Sequence, residues 1–568
     1  MVLILLPKQK YNVLIEFAHI HLDFQKCELE SVLAMHGLLL NQDYTEIPLP
    51  SPNYDDNTTH PHRPFLIVSF SLNQRGKVCF PIDDTVEDNI PESLMDRYSK
   101  QTPPELVPTL ATILSRCTLV RSAIELWGAG SSFEECATSV QDQIITTESQ
   151  TGNQEIDIIN HRLETICTEN QSWKITIQTL GLTCTRENQE EMRNYFRFLN
   201  FPGPVIMENT HNEFIVIREI ELESSGSPTY LRNQHDKKQV IQAHIQRPPL
   251  GVYFGRILGN NRNYRTGIEK FNLKKRVYLG PTSMDAELSF IMTSLAQVQR
   301  GSFCFDPFVG TGSLLLTCAM KGAGMCLGTD IDIRVLRGKN ADESIYKNFE
   351  QYGLVRPELI RSDNSIFHRH YYPSMQSIFD AIVTDPPYGI RAGARKSGSR
   401  SSNPNPVPES ERYTHIAQTK PYVVSDVMAD LLDVAARTLV LGGRLVYIIP
   451  SMRDFNPETD LPRHDCLKLI HVCFQSLQIE FGRRVVTMEK TKEYIESMRY
   501  EYLSHVWLHG TESAEKCANI RERLITIAKE KANSEERKLS RKQRRLLARE
   551  RCNTPMKRNV ETIEKTRT

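Results

Sequence analysis

Residues 379–390 read FDAIVTDPPYGI, an apolar run that leads straight into an acid, two prolines and an aromatic residue. The apolar part predicts a buried strand. Pro386 and Pro387 end that strand, because proline has no N–H for a sheet ladder and forces extended geometry on the residue before it. We therefore expect Asp385 and Tyr388 in a rigid loop at the carboxyl end of a strand, where open α/β sheets bind their ligands.

The residues of this loop suit chemistry on an amino nitrogen. The Asp385 carboxylate and the Pro386 carbonyl can together accept both hydrogens of a planar NH2 group. The Tyr388 ring can stack on the flat system that carries this group. A strand that merely ends in a Pro-Pro turn is the other reading of this motif, and the rest of the chain argues against it.

A strand, a glycine turn and a helix precede this loop in SFCFDPFVGTGSLL, residues 302–315. Gly310 and Gly312 let the backbone turn tightly and approach a ligand closely. The helix after them presents the positive end of its dipole. A nicotinamide dehydrogenase would instead carry G-x-G-x-x-G, and a P-loop would continue with Lys and Ser or Thr, so both classes are disfavoured.

Further predicted strands end in acids. The strand at 324–329 runs into Asp330, with Asp332 close behind, and an acid at this place suits ribose hydroxyls. Asp363 follows a third strand and is a candidate for an adenine amino group. Together with a fifth strand at 443–450, these elements occur in the order of a doubly wound parallel sheet, which predicts an α/β, Rossmann-like domain.

These motifs resemble those of class I S-adenosylmethionine-dependent methyltransferases that modify amino groups through an (N/D)-P-P-(Y/F/W) loop. The segments IEKFNLKKR at 268–276, GPTSMDA at 280–286 and DPPYGIR at 385–391 narrow the resemblance to the eukaryotic tRNA guanosine-N2 methyltransferases that act on guanosine 10. It spans nearly all of 268–495. The stretch IELWG at 124–128 is similar to the THUMP region of that family, a small α/β RNA-binding domain.

The resemblance implies S-adenosylmethionine as the methyl donor and tRNA as the substrate, with the THUMP domain holding the acceptor end of the tRNA. It also implies a heterodimer with a small zinc-binding activator protein that docks on the methyltransferase domain. The residues expected to act on the acceptor are Asp385, Pro386, Pro387 and Tyr388. Those expected to bind the donor are Thr282, Ser283, Asp306, Phe308, Gly310, Gly312, Asp330 and Asp363.

The sequence predicts an α+β region, then an RNA-binding region, then the catalytic domain. The helical and strand patterns, with a Gly-, Pro- and Asn-rich stretch between them, set the expected boundaries. These are an N-terminal α+β domain at 1–110, a THUMP-like domain at 111–235, a linker at 236–272, the methyltransferase domain at 273–505 and a basic tail, helical or disordered, at 506–568.

The charge is balanced overall, with 69 basic and 69 acidic residues, but it is uneven along the chain. Residues 537–558 hold ten Lys or Arg and one acid, a net +9 that leaves −9 for the remainder. This tail can be a nucleic-acid contact, a nuclear signal or a solvated helix. The polar segment at 392–413 can likewise clamp RNA phosphates or serve no role.

The composition indicates the cellular compartment and argues against disulfide, metal and membrane-spanning features. None of the 13 cysteines forms a C-x-x-C pair, so we expect neither a disulfide framework nor a zinc ribbon, and no bound metal. A reducing compartment, the cytoplasm, is the expected location. No apolar run approaches the ~20 residues of a membrane helix, so we expect no membrane association.

The loop chemistry leaves alternatives for the activity. It serves methylation of another RNA base or of a protein glutamine as well. A non-catalytic RNA-binding subunit with a decayed methyltransferase fold is a further alternative, although the intact glycine turn and the intact Asp385 loop argue against decay.

Overall fold

The computed structural model describes most of the chain, which forms two compact units. By their described residues, the first unit takes in 9–25 and 33–260, and the second takes in 26–32 and 267–526. The described residues are 9–50, 63–72, 113–114, 116–145, 167–180, 184–220, 248–260, 267–281, 283–369, 377–387, 394–398, 407–411, 418–452, 454–477, 481–507, 523 and 525–526. The predicted basic tail at 506–568 lies almost wholly outside them.

One seven-stranded sheet dominates the first unit, in the order β2-β3-β1-β4-β7-β6-β5. All neighbours in it are antiparallel except β5 and β6. Its strands are β1 Gln9–Phe17, β2 Tyr44–Ile47, β3 Phe65–Leu72, β4 Val120–Gly130, β5 Trp173–Thr179, β6 Asn212–Glu219 and β7 Gly251–Asn260. The helices of this part of the chain are α1 Gln25–Met35, α2 Phe133–Ile145 and α3 Arg186–Asn194.

Strand β7 corrects the prediction of a linker at 236–272. Residues 251–260 pair with both β4 and β6 in the middle of the sheet. A Cβ on Gly255 would lie 2.2 Å from the Glu125 carbonyl oxygen, so the glycine that suggested a linker is what lets β7 pack closely on β4. The sheet also joins β1–β3 to β4–β7, so the two regions predicted as separate domains at 1–110 and 111–235 share one hydrogen-bonded sheet.

The second unit contains the predicted Rossmann-like sheet, in the order β10-β9-β8-β11-β14-β16-β15. The first five of these strands are parallel, and β16 and β15 continue antiparallel. The strands of this unit, including a separate β12–β13 hairpin, are β8 Phe303–Asp306, β9 Met325–Asp330, β10 Glu358–Arg361, β11 Phe379–Thr384, β12 Arg395–Ser397, β13 Thr419–Pro421, β14 Leu439–Met452, β15 Leu467–Ser476 and β16 Phe481–Lys490.

Helices cover this sheet. The longest, α8 (Val424–Thr438), buries Met428, Leu431 and Leu432 in a core shared with Ile382 and Tyr447 of the sheet. In full, the helices of this unit are α4 Ala286–Leu295, α5 Ser313–Met320, α6 Ile333–Arg337, α7 Ile345–Gln351, α8 Val424–Thr438, α9 Pro457–Asp460 and α10 Arg499–Ser504. Within the described residues, no helix has both the length and the apolar character to span a bilayer.

Candidate active site

A cavity of about 830 Å³ opens at the carboxyl edge of the parallel strands in the second unit. Asp306, Asp330 and Asp385 line it from three different strand ends, β8, β9 and β11. The sequence predicted each acid separately, and the parallel sheet brings them to one edge. The size suits a small organic ligand, since such sites usually measure ~300–1,000 Å³.

The glycine turn between β8 and α5 forms part of the cavity wall. Gly310 and Gly312 have φ values of +49° and +77°, which other residues rarely adopt. A Cβ on Gly312 would also lie 2.8 Å from Cγ2 of Ile345, so this position has no room for a side chain. The Gly310 N–H donates to Oδ2 of Asp330 at 3.1 Å, which fixes the turn to the end of β9.

Asp306 is the most deeply buried acid of the cavity, with 1% of its surface exposed. Its Oδ1 accepts hydrogen bonds from Oγ1 of Thr384 at 2.6 Å and from the Phe308 N–H at 3.0 Å. Burial raises the pKa of Asp306 to about 7, and the nearby charges of Asp330 and Asp385 push it the same way. Because Thr384 directly precedes Asp385, this hydrogen bond connects the end of β8 to the loop after β11.

Asp330 and Asp332 differ in what their carboxylates do. Asp330 accepts from the Gly310 and Asp332 N–H groups, and burial raises its pKa. A carboxylate has about four acceptor positions, so Asp330 keeps capacity for ribose hydroxyls. Asp332 caps α6 through the Arg334 N–H and pairs with the Arg334 guanidinium at 2.7 Å, which lowers its pKa. This difference favours Asp330 over Asp332 as the residue that contacts the ribose.

Asp363 is placed differently from the other predicted donor residues. It is absent from the cavity lining, where its neighbours Ser362 and Asn364 lie. Its carboxylate accepts from the N–H and Oγ of Ser365 at 2.9 and 2.8 Å and from the Ser397 N–H at 2.6 Å. An adenine contact through Asp363 stays a prediction, and Asn364 offers the cavity an amide that can both donate and accept.

Some of the other predicted site residues lie within the described part of the chain, and two lie outside it. Pro386, Pro387 and Phe308 line the cavity beside Asp385. Ser283 lines it as well, and its Oγ lies 2.8 Å from Oγ1 of Thr311 in the glycine turn. Thr282 and Tyr388 lie outside the described residues.

Two family models match the chain. The "RMKL-like, methyltransferase domain" matches residues 274–400, and the "Tmrp11 THUMP N-terminal domain" matches residues 107–261. The first covers the glycine turn and the Asp385 loop. The second ends beyond β7, which agrees with a strand rather than a linker at 251–260.

Individual relatives match a larger part of the chain than either family model does. The tRNA (guanine(10)-N(2))-methyltransferase TRMT11 of Mus musculus is 36% identical over 409 residues, 69% of this chain and 79% of that protein. The chain belongs to this family. The TRMT11 of Homo sapiens is 34% identical over the same shares of both chains. That of Dictyostelium discoideum is 49% identical over 260 residues, 45% of this chain and 49% of that protein. The family and fold predicted from the sequence are confirmed.

As a member of this methyltransferase family, the chain uses S-adenosylmethionine, and the cavity fits this donor. The ribose hydroxyls of its adenosine part need hydrogen-bond acceptors, and its amino-acid part needs a backbone that can approach it closely. Its sulfonium and ammonium groups are cationic. Asp330 supplies acceptors, the Gly310–Gly312 turn leaves the backbone open, and the acids that line the cavity, Asp306, Asp330 and Asp385 among them, favour cations.

The lining residues that sequence reasoning missed include Asn364, Tyr422 and Arg483. Tyr422 leads into α8 and donates to Oδ2 of Asp430 at 2.5 Å; burial raises the pKa of Tyr422 and raises that of Asp430 to about 6. None of the three lies in a recognisable motif. Asn364 alone had a local signal, since it follows Asp363 at a strand end.

Proposed function

We propose that this chain is the catalytic subunit that transfers a methyl group from S-adenosylmethionine to N2 of guanosine 10 in tRNA. The observation that carries the proposal is that Asp385, Pro386 and Pro387 line the same cavity as Asp306 and Asp330. One cavity therefore holds both groups that suit the donor and groups that suit an amino group. The match of 107–261 to a THUMP model supports the first unit as the part that binds the acceptor end of tRNA.

S-adenosylmethionine supplies a methyl group already activated on a sulfonium, so the chain mainly has to position its substrates. Asp330 binds the ribose hydroxyls. Asp306 and the turn at Gly310 and Gly312 face the methionine end, with Phe308 and Ser283 beside them. Asn364, which follows the end of β10 and lines the cavity, would hold the adenine, where Asp363 was expected.

The acceptor is oriented by the loop after β11. The guanine is taken out of its stack, as enzymes that modify bases require. Asp385 and the Pro386 carbonyl accept the two N2 hydrogens, and Tyr388 stacks on the base. This points the nitrogen at the methyl group and stabilises the positive charge that builds as the N–C bond forms and the S–C bond breaks. The extra proton leaves N2 to Asp385 or to solvent.

The test is transfer of labelled methyl from S-adenosylmethionine to total tRNA by the chain co-expressed with a candidate activator, followed by digestion to nucleosides. We expect the label in N2-methylguanosine, mapped to position 10, and none with Asp385→Ala. Label in another nucleoside would show that the substrate is another RNA base. Label in protein alone would favour a glutamine substrate, and donor binding without any transfer would favour a non-catalytic subunit.

A small zinc-binding activator protein is the proposed partner, and the edge of the catalytic sheet offers a surface for it. Strand β10 is at one end of the strand order. Ile360 in that strand is 51% exposed, and Val355, shortly before it, is 73% exposed. Exposed apolar side chains on a sheet edge are suited to being covered by another protein.

Ile360→Asp should weaken recovery of the activator with the chain at least tenfold, since it places a charge in the interface. Leu441→Asp is the matched control, because Leu441 is 53% exposed but belongs to β14 in the middle of the sheet. Equal loss of the activator in both variants, or in the control alone, would exclude the β10 edge as its docking surface.

We also propose a cytoplasmic location. Ten cysteines in the described residues are free thiols, and nine of them are buried, as suits a reducing compartment. Microscopy of the tagged full chain tests this, and a nuclear signal that moves to the cytoplasm on removal of 537–558 would instead assign the basic tail as a nuclear signal.

A further inference from the structure

Four cationic side chains are among the residues that line the active-site cavity, and they fall into two pairs. Arg334 pairs with Asp332 at 2.7 Å, and Lys339 pairs with Glu343 at 2.7 Å. Arg395 and Arg483 line the same cavity but donate only to neutral oxygen atoms among the described residues. Within the described part of the chain, neither of these two guanidinium groups is paired with an acid, so both can meet an anionic ligand.

Arg395 is held in place by the β12–β13 hairpin. Its Nε donates to Oγ1 of Thr419 at 2.9 Å, and its Nη2 donates to the Thr419 carbonyl at 2.7 Å. The hairpin is tied to the loop after β10 by the Ser397 N–H, which donates to Asp363 at 2.6 Å. A guanidinium has five N–H donors, so Arg395 is oriented and still has donors for an anion.

Arg483 is held in place by the antiparallel pair β15–β16. Its Nε donates to Oε1 of Gln475, its cross-strand partner, at 2.5 Å. Gly482 makes the close pairing possible, since a Cβ there would lie 2.3 Å from the Gln475 carbonyl oxygen. On its other side Arg483 is opposite Pro450, near the carboxyl end of β14. Arg483 is thus at the same edge of the sheet as the Asp385 loop.

The strand order puts these two arginines to either side of the Asp385 loop. In the order β10-β9-β8-β11-β14-β16-β15, the Arg395 hairpin is tied to the end of β10, and Arg483 belongs to β16. The catalytic loop follows β11, between them. A nucleotide bound at Asp385 has a phosphate on each side, and its backbone has to pass a cavity lined by Asp306, Asp330 and Asp385, whose charges repel it.

We propose that Arg395 and Arg483 are positioning residues that bind the phosphates flanking the target nucleotide of the RNA. The assignment rests on the proposed function. Arginine suits this role because its planar donors match phosphate oxygens. The donor's carboxylate is the other anion that could meet these arginines, and the experiment separates the two.

The experiment uses the full chain with its activator and the variants Arg395→Gln and Arg483→Gln. The dissociation constant for tRNA is measured at several salt concentrations, together with that for S-adenosylmethionine and the KM and kcat of methyl transfer. We expect each variant to raise the KM for tRNA about tenfold and to reduce the slope of log K against log salt by about 0.7, as loss of one phosphate contact does. Donor affinity should be unchanged, and Arg→Lys should restore much of the tRNA affinity.

Two lysines on the same hairpins give matched controls. Lys420→Gln on β13 and Lys468→Gln on β15 each remove one exposed positive charge from outside the cavity lining. Equal loss of tRNA affinity in the controls would overturn the proposal, and so would weaker donor binding in either arginine variant with unchanged tRNA binding. If the wild-type complex methylates no tRNA guanosine, the proposed function fails instead, and the salt slopes of tRNA binding still decide the role of the arginines.

Discussion

The donor side and the acceptor side of the cavity are built differently. On the donor side, Asp306 is buried and Asp330 is partly buried, and both are held by hydrogen bonds, which come from the turn at Gly310, from Phe308 and from Thr384. On the acceptor side, Asp385 is only partly buried and Arg395 is exposed. The donor-side acids are thus held by hydrogen bonds within the chain, whereas the acceptor side includes the exposed guanidinium of Arg395.

The largest expected effect is on the acceptor side. Asp385→Ala should lower kcat about 10³-fold, because it removes the group that orients N2 and stabilises its developing charge. The measurement is single-turnover methyl transfer at saturating donor. Asp380→Ala is the control at the other end of the same strand, where the carboxylate accepts from the Phe303 N–H. If both variants lose kcat equally, the effect is one of strand stability and not of chemistry.

A smaller effect is expected on the donor side. Asp330→Ala should raise the dissociation constant for S-adenosylmethionine about 100-fold, since hydrogen bonds to a charged group contribute ~1.5–3 kcal/mol each. Asp332→Ala should change it less than about threefold and cost only the α6 cap, about 1 kcal/mol of stability. Calorimetric titration measures both constants, and the reverse order of the two variants would reassign the ribose contact to Asp332.

The smallest expected effect is a pH dependence of donor affinity. It involves both sides because Thr384, next to Asp385, donates a hydrogen bond to Asp306. The pKa of Asp306 is about 7 in the free chain. A cationic donor favours the ionised carboxylate, so donor affinity should fall as the pH drops below about 7 and level off above it. Thr384→Val removes the hydrogen bond that lowers this pKa and should shift the midpoint to higher pH.

Titration of the donor between pH 5.5 and 8.5 measures this midpoint, and Asp306→Asn is the control that should abolish the dependence. A midpoint that Thr384→Val leaves in place would show that another group is responsible.

Local sequence signals predicted which strand ends meet at the cavity. The strand, glycine turn and helix at 302–315 are consecutive in the chain, and Asp330 and Asp385 directly follow apolar strands. Such features need no knowledge of distant contacts. The hydrogen bond from Thr384 to Asp306 and that from the Ser397 N–H to Asp363 join residues far apart in the chain, and neither could be read from the motifs.

Features that depend on distant pairing were missed. Strand β7 looked like a linker because its glycines and arginine are explained only by β4 and β6 on either side. Arg483 reaches the cavity only because β16 is antiparallel to β14 at the same edge of the sheet. Neither fact is encoded by a short motif, and both follow once the strand order is known.

Titration of S-adenosylmethionine into the Asp385→Ala chain, in complex with its activator, tests the separation of the two sides most directly. The account predicts a dissociation constant within about threefold of the wild-type value, together with the loss of methyl transfer. Loss of donor binding in this variant would contradict it, because Asp385 would then belong to the donor site.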